Sequence, residues 1–131
     1  MDSQTDGKEP TISHEEQDGL LRVVVAGPAT LAFVTAYATR FQDVWSRYQR
    51  ILWDLRGADP TVLSSEDILN VNHAFGEIMD LRAGGRTALL ISKDVELIAK
   101  IAIALCEGRD APVTLRAFLD EPEALVWVQE P

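Results

Sequence analysis

The sequence predicts an α/β fold built on a mixed five-stranded sheet, with an N-terminal antiparallel hairpin, then parallel β-α-β units, and about four helices. Short apolar runs alternate along the 131 residues with segments of helical periodicity. Strands separated by helical segments pair in parallel through right-handed crossovers, whereas one tight turn near the start joins an antiparallel pair. Neither an internal repeat nor a linker interrupts the order β-β-α-β-α-β-α-β-α.

The chain begins with a segment that carries no apolar periodicity. Residues 1–10 mix Gly, Pro, Ser and charges, which predicts a disordered tail, and a single domain over 11–131 follows it. Strands are expected over 11–15 and 20–26, since an Asp-Gly pair between them suits a tight turn. The second strand is almost continuously apolar, which is typical of a strand covered on both faces.

The middle of the chain predicts two helices around one strand. Apolar residues recur at three- and four-residue steps over 30–48, with Thr30 as the N-cap. The compact apolar run over 51–55 then indicates a buried strand. The second helix opens at a serine pair and ends at Gly84, a residue type favoured in left-handed C-caps.

The last third continues the alternation. Strands are expected over 87–91 and 113–119, with a third helix over 94–107 between them. Asp120 is the expected N-cap of a short fourth helix, with Pro in its first turn. The apolar stripes of the helices suggest that one face of the sheet is heavily covered, while the other relies on the hairpin.

Charge and hydropathy exclude several classes of function. Lys and Arg number 12 against 21 Asp and Glu, a net charge of −9, which argues against nucleic acid as a partner because phosphate binding needs clustered cations. No uninterrupted apolar stretch is long enough to span a membrane, and the amino terminus lacks the features of a secretory signal. We therefore expect a cytoplasmic protein that does not span a membrane.

Motifs for metal or cofactor chemistry are missing from the sequence. The single cysteine, Cys106, excludes an internal disulfide, and His14 and His73 have no metal-like spacing. A Gly-Gly-Arg segment at 84–86 follows a helix and precedes a strand, the reverse of a phosphate-binding loop. We expect no catalytic residue, no metal and no cofactor.

Four segments carry a family resemblance. They are ILWDLRGAD at 51–59, LSSEDI at 63–68, RAGGRTALLIS at 82–92 and RAFLDEPEALVWV at 116–128. In order and spacing they resemble the uncharacterised bacterial branch of the STAS superfamily, which includes the anti-sigma-factor antagonists. The resemblance covers about residues 11–129 and implies the small α/β STAS sandwich.

The resemblance also implies candidate phosphoacceptors. In the antagonists, an Asp ends the central strand and an Asp-Ser-Ser-Gly element opens the following helix, where the first Ser accepts phosphate from a partner kinase. Asp54 matches the strand Asp and Ser64-Ser65 match the serine pair, while Leu63 and Glu66 replace the element's Asp and Gly. From the residues alone, either serine also serves as a helix cap, with an Asp at the capping-box position.

A second group of polar residues follows two of the predicted parallel strands. Asp54, Arg56, Asp59 and Ser92 lie at or just beyond their carboxyl ends, where open α/β sheets usually place ligand crevices. Side chains alternate along a strand, so Asp54 and Arg56 point to the same side and can pair. These four residues form either the rim of a ligand or partner site, or a salt bridge together with helix caps.

Two aromatic residues, Trp45 and Tyr48, lie near the end of the first predicted helix. They belong either to the core or to an exposed patch. Exposed aromatics and an edge strand permit a homodimer without requiring one.

The leading hypothesis is a non-catalytic STAS-like binding or regulatory module whose partner is a protein or a small anionic or lipidic ligand. Two alternatives stay open. One is a phosphoswitch regulator that acts through Ser64 or Ser65. The other is a small enzyme that uses the rim of Asp54, Asp59 and Ser92.

Overall fold

The computed structural model describes residues 9–108 and 112–130, so residues 1–8 of the predicted tail lie outside the described residues. Within those ranges the elements follow the predicted order, with the first helical segment divided in two. The strands are β1 (Thr11–Gln17), β2 (Leu20–Gly27), β3 (Arg50–Ala58), β4 (Arg86–Leu90) and β5 (Thr114–Phe118). The α-helices are α1 (Leu31–Arg40), α2 (Gln42–Trp45), α3 (Ser65–Leu81), α4 (Glu96–Gly108) and α5 (Glu121–Gln129).

The five strands form one sheet in the order β1-β2-β3-β4-β5. β1 and β2 are antiparallel and each later pair of neighbours is parallel, which confirms the predicted mixed sheet. The β1–β2 turn places Asp18 at φ 51° and Gly19 at φ 80°, both in the left-handed region that an Asp-Gly pair tolerates. β3 is therefore the central strand, and its side chains alternate between two separate cores.

The first core lies under helices α1 to α3. Leu21, Val23 and Ile51 of the sheet pack with Trp45 and Ile78 of the helices. Trp45 is only 1% exposed, and its ring lies 5.3 Å from that of Trp53 on β3 in an edge-to-face arrangement. Of the two interpretations of Trp45, core and exposed patch, the structure shows the core.

The long helix predicted over 30–48 is broken at Phe41, which was not expected. Phe41 has φ −109° and ψ 22°, outside the helical region, and serves as the C-cap of α1 and the N-cap of α2. The apolar three- and four-residue spacing continues through this break, so periodicity alone cannot reveal it. Beyond the bend, α2 carries Trp45, which packs against the sheet.

The second core lies on the opposite face of the sheet, under α5. Ala124 and Val128 of this helix are completely buried against Leu52 on β3 and Leu90 on β4. The expectation that the hairpin protects this face is therefore wrong, because the chain returns after β5 and lays α5 across it.

The N-caps predicted for α1 and α5 are present in the structure. The Thr30 side chain accepts a hydrogen bond from Phe33 N, and the Asp120 side chain accepts one from Glu123 N. The C-cap of α3 is Arg82, two residues before the predicted Gly84, which lies in the following turn at φ 88°. Among the described residues, no helix combines the length and the apolar character needed to cross a membrane.

Candidate functional site

Four charged side chains, which we call the ion cluster, meet where α5 begins: Arg22, Asp54, Arg56 and Glu121. Arg56 donates from Nε to Asp54 Oδ1 at 3.0 Å and from Nη2 to Asp54 Oδ2 at 2.8 Å. Arg22 donates to Asp54 Oδ2 at 3.2 Å and to Glu121 Oε2 at 3.0 Å. Arg56 Nη2 also donates to Glu121 Oε1 at 3.0 Å. The two cations and two carboxylates therefore balance one another.

The ion cluster lowers the pKa of both of its carboxyls. Hydrogen bonds from the Arg56 side chain lower the pKa of Asp54, despite the opposing effect of burial. Hydrogen bonds from Arg22 lower the pKa of Glu121 in the same way. A carboxyl that acts as a general acid near neutral pH needs a raised pKa instead. The lowered pKa therefore does not suit Asp54 to the role of a general acid near neutral pH.

Replacing Asp54 with Asn is expected to cost about 2 kcal/mol at neutral pH, because two guanidinium groups lose their charged acceptor. The pKa of Asp54 is lower in the folded state than in the unfolded state, so its contribution is complete above the unfolded value, near 3.8. It is lost as the pH falls through the folded value. Urea unfolding across the acidic range should show a flatter pH dependence for Asp54→Asn than for the wild type.

The matched control for this prediction is Asp80→Asn, which changes an exposed carboxylate on α3. It should keep the acid dependence of the wild type. If Asp54→Asn and Asp80→Asn lose the same free energy of unfolding between neutral and acidic pH, the ion cluster contributes no more to stability than an exposed carboxylate does.

The other two rim residues are engaged elsewhere. Asp59 accepts hydrogen bonds from Thr61 N at 2.9 Å and Thr61 Oγ1 at 2.6 Å, and so caps the short 3-10 helix Pro60–Val62. The Ser92 hydroxyl donates to Asp94 Oδ1 at 2.5 Å. Asp59 also lies on the face of the sheet that α1 and α3 cover, whereas Asp54 and Arg56 lie on the α5 face, where Arg56 contacts Glu121. The structure thus joins Asp54 with Arg56 but places Asp59 on the other side.

The two serine candidates have different environments at the start of α3. Ser64 Oγ accepts from Asp67 N at 3.0 Å, while Asp67 Oδ2 accepts from Ser64 N at 3.0 Å, which forms a complete capping box. Ser65 is the first residue of α3 and is exposed. The hydroxyl of Ser64 is therefore committed to the helix, and that of Ser65 faces solvent.

Replacing Ser64 with Ala is expected to lower the free energy of unfolding by about 1 kcal/mol, since the N-cap acceptor is lost. The matched control is Ser65→Ala, one residue further on, which leaves the capping box intact. Urea denaturation of both variants is the measurement. Equal effects of the two substitutions would show that the cap contributes nothing.

A cavity of about 250 Å³, which we call the interior cavity, lies between the sheet and helices α1, α3 and α4. Its walls are almost entirely apolar, with Trp53 and Leu89 from the sheet and Phe75, Ala99 and Ala102 from the helices. It exceeds the apolar cavity of about 150 Å³ that is known to bind benzene. The space is therefore large enough for an apolar small molecule.

Two polar side chains in the wall of the interior cavity, those of Arg82 and Trp45, were not predicted from the sequence to be site residues. Arg82 is only 4% exposed, and the indole Nε1 of Trp45 is buried without a hydrogen-bond partner in the described part of the chain. The sequence could have identified Arg82 as a buried cation, because it lies on the otherwise apolar face of a predicted helix. Across the described ranges, no group of three or more His, Cys, Asp or Glu residues is arranged to hold a metal ion.

Comparison with known proteins shows similarity at the level of the fold. No family model and no curated protein matches the sequence. The structure is similar to that of an anti-sigma factor antagonist from Mycobacterium paratuberculosis, with a TM-score of 0.64 and 14% identity over 95% of this chain and 97% of that chain. It is also similar to an uncharacterised protein of the DUF3478 family with a SpoIIAA-like fold from Shewanella loihica PV-4, with a TM-score of 0.62 and 18% identity over 98% of each chain. These likenesses confirm the predicted STAS-like fold.

Proposed function

We propose that this chain, which has a STAS-like fold, is a non-catalytic regulatory module that binds an apolar small molecule in the interior cavity. The observation that carries this proposal is the cavity itself, about 250 Å³ and lined almost entirely by apolar side chains. Binding an apolar ligand against these walls removes apolar surface from water, which favours binding by about 25 cal/mol per Å² of surface buried.

A regulatory role is supported by the segment that lines the cavity just before α3. Asp59, Pro60 and Leu63 line the cavity, and Ser64 begins α3 directly after them. Leu63 is also 37% exposed, so this segment contacts both the occupant and the outer surface. An occupant in contact with this segment can therefore change the surface that a protein partner meets.

The experiment is a fluorescence titration with N-phenyl-1-naphthylamine, a neutral apolar probe, followed by displacement with decanol. We expect saturable binding at one site per chain, a blue-shifted emission of the probe, and a higher unfolding temperature in the presence of decanol. Binding that does not saturate, or that decanol fails to displace, would contradict the proposal.

A phosphoswitch is the second candidate, and the exposure of Ser65 favours it. Ser65 is accessible to a kinase, and a phosphate at a helix N-terminus is stabilised by the helix dipole. The neighbouring carboxylates of Glu66 and Asp67 oppose it. Intact-mass measurement of the protein from its native cell should show one added phosphoryl group that Ser65→Ala abolishes. Its absence under growth and stress conditions alike would reject the switch.

A further inference from the structure

We infer that the occupant of the interior cavity is a carboxylate-headed apolar molecule of the medium-chain fatty-acid class, whose head group binds Arg82 and Trp45. This inference rests on the proposed function and specifies the ligand of the same site. It follows from the polar atoms in the cavity wall rather than from the volume of the cavity.

The first observation is a buried cation that lacks an anion. Arg82 donates from Nε to Tyr48 O at 2.7 Å and from Nη1 to Thr87 Oγ1 at 3.0 Å. Its Nη2 donates to Arg86 O at 3.2 Å and Gln49 O at 3.4 Å. All of these acceptors are neutral, and no carboxylate in the described ranges forms an ion pair with Arg82.

The charge of Arg82 persists at neutral pH. Burial lowers the pKa of the guanidinium to about 10, which still leaves it protonated under physiological conditions. Buried charges in proteins are normally paired, because an isolated ion in an apolar environment is strongly unfavourable. An anionic ligand group in the cavity supplies that missing partner.

The second observation is independent of the first and concerns Trp45. This side chain is 1% exposed and lines the interior cavity, and its Nε1–H is without an acceptor among the residues described. Indole can only donate a hydrogen bond. Within the ranges that the structure describes, Arg82 thus lacks an anion and the Trp45 Nε1–H lacks an acceptor, and a carboxylate supplies both.

The orientation of the ligand follows from the position of Arg82 at one end of the cavity. Arg82 binds carbonyls that precede β3, whereas Asp59 follows β3 and lines the cavity at the opposite end of that strand. A carboxylate is attracted by the charge of Arg82. The head group is thus placed at the Arg82 end, and the apolar tail extends towards Pro60 and Leu63.

The test compares decanoate with decanol, which has the same chain and no charge. At pH 7 we expect decanoate to bind the wild-type protein at least tenfold more tightly, a difference of about 1.4 kcal/mol. Bound decanoate labelled with ¹³C at its carboxyl should titrate below the pKa of the free acid, because pairing with a cation favours the charged form. An unchanged or raised carboxyl pKa would overturn the inference without the need for any variant.

A pair of variants then assigns the head group to Arg82. Arg82→Gln should bring the affinities for decanoate and decanol close together, because it removes the charge that favours decanoate. Arg86→Gln, on the α5 face of the sheet, should keep the preference for decanoate.

If the wild type binds decanol and decanoate equally, the carboxylate inference fails and the proposed function stands. If it binds neither, the proposed function fails. If Arg82→Gln does not fold, the ¹³C titration of the wild type decides.

Discussion

Filling the interior cavity from α4 is expected to abolish ligand binding while the protein stays folded. Ala99 and Ala102 both line the cavity, and Ala99 is only 9% exposed. Replacing both with Leu places six additional carbon atoms within the space that a ligand needs. We expect the affinity for N-phenyl-1-naphthylamine and for decanoate to fall more than tenfold. The unfolding temperature should stay the same or rise, because buried apolar volume is filled without a change in charge.

The matched control is Ala104→Leu, which lies on the exposed side of the same helix and should bind both ligands as the wild type does. It separates the effect of cavity volume from any effect of added Leu on α4. If the filled variant keeps wild-type affinity, the ligand binds elsewhere. The exposed pair of Leu97 and Ile101 on α4 is the alternative apolar surface that would then need to be tested.

The parts of the fold that depend on local signals were predictable from the sequence. The capping box at Ser64 needs only a serine and an acid three residues later, and the hairpin needs only Asp-Gly between apolar runs. The break at Phe41 was not predictable, because the apolar spacing continues through it. The sequence also did not predict that α5 covers the second face of the sheet. Its apolar positions show that the helix packs against the sheet, but not on which face.

The candidate site depends on contacts between distant residues, which the sequence predicted only in part. Strand alternation correctly placed Asp54 beside Arg56, two residues apart. It could not supply Arg22 or Glu121, which come from another strand and from α5. The interior cavity depends on the distances between α1, α3, α4 and the sheet. Small side chains on α4 are compatible with a void, but they are equally compatible with close packing.

Replacing Gly85 with Ala is expected to have the largest effect on stability, a loss of about 3 kcal/mol. A Cβ at this position would lie 2.5 Å from Gln49 O and 3.0 Å from Arg82 O, which are backbone atoms. Gln49 O cannot withdraw freely, because it accepts from Arg86 N at 2.7 Å where β3 and β4 begin to pair. Gly85 itself donates to Arg82 O and accepts from Thr114 N. Overpacking against fixed backbone costs about 1–3 kcal/mol and sometimes more.

The substitution should also weaken decanoate binding more than decanol binding, since Gln49 O is an acceptor for Arg82. The matched control is Gly76→Ala in α3, where a new Cβ meets none of the described atoms within 4 Å. That variant is expected to gain about 0.5–1 kcal/mol, because Ala loses less conformational freedom in a helix than Gly. The two Gly-to-Ala substitutions should therefore shift the urea midpoint in opposite directions. If both substitutions stabilise the protein, Gln49 and Gly85 are further apart than the structure shows. The position of Arg82, which donates to Gln49 O, would then also be different.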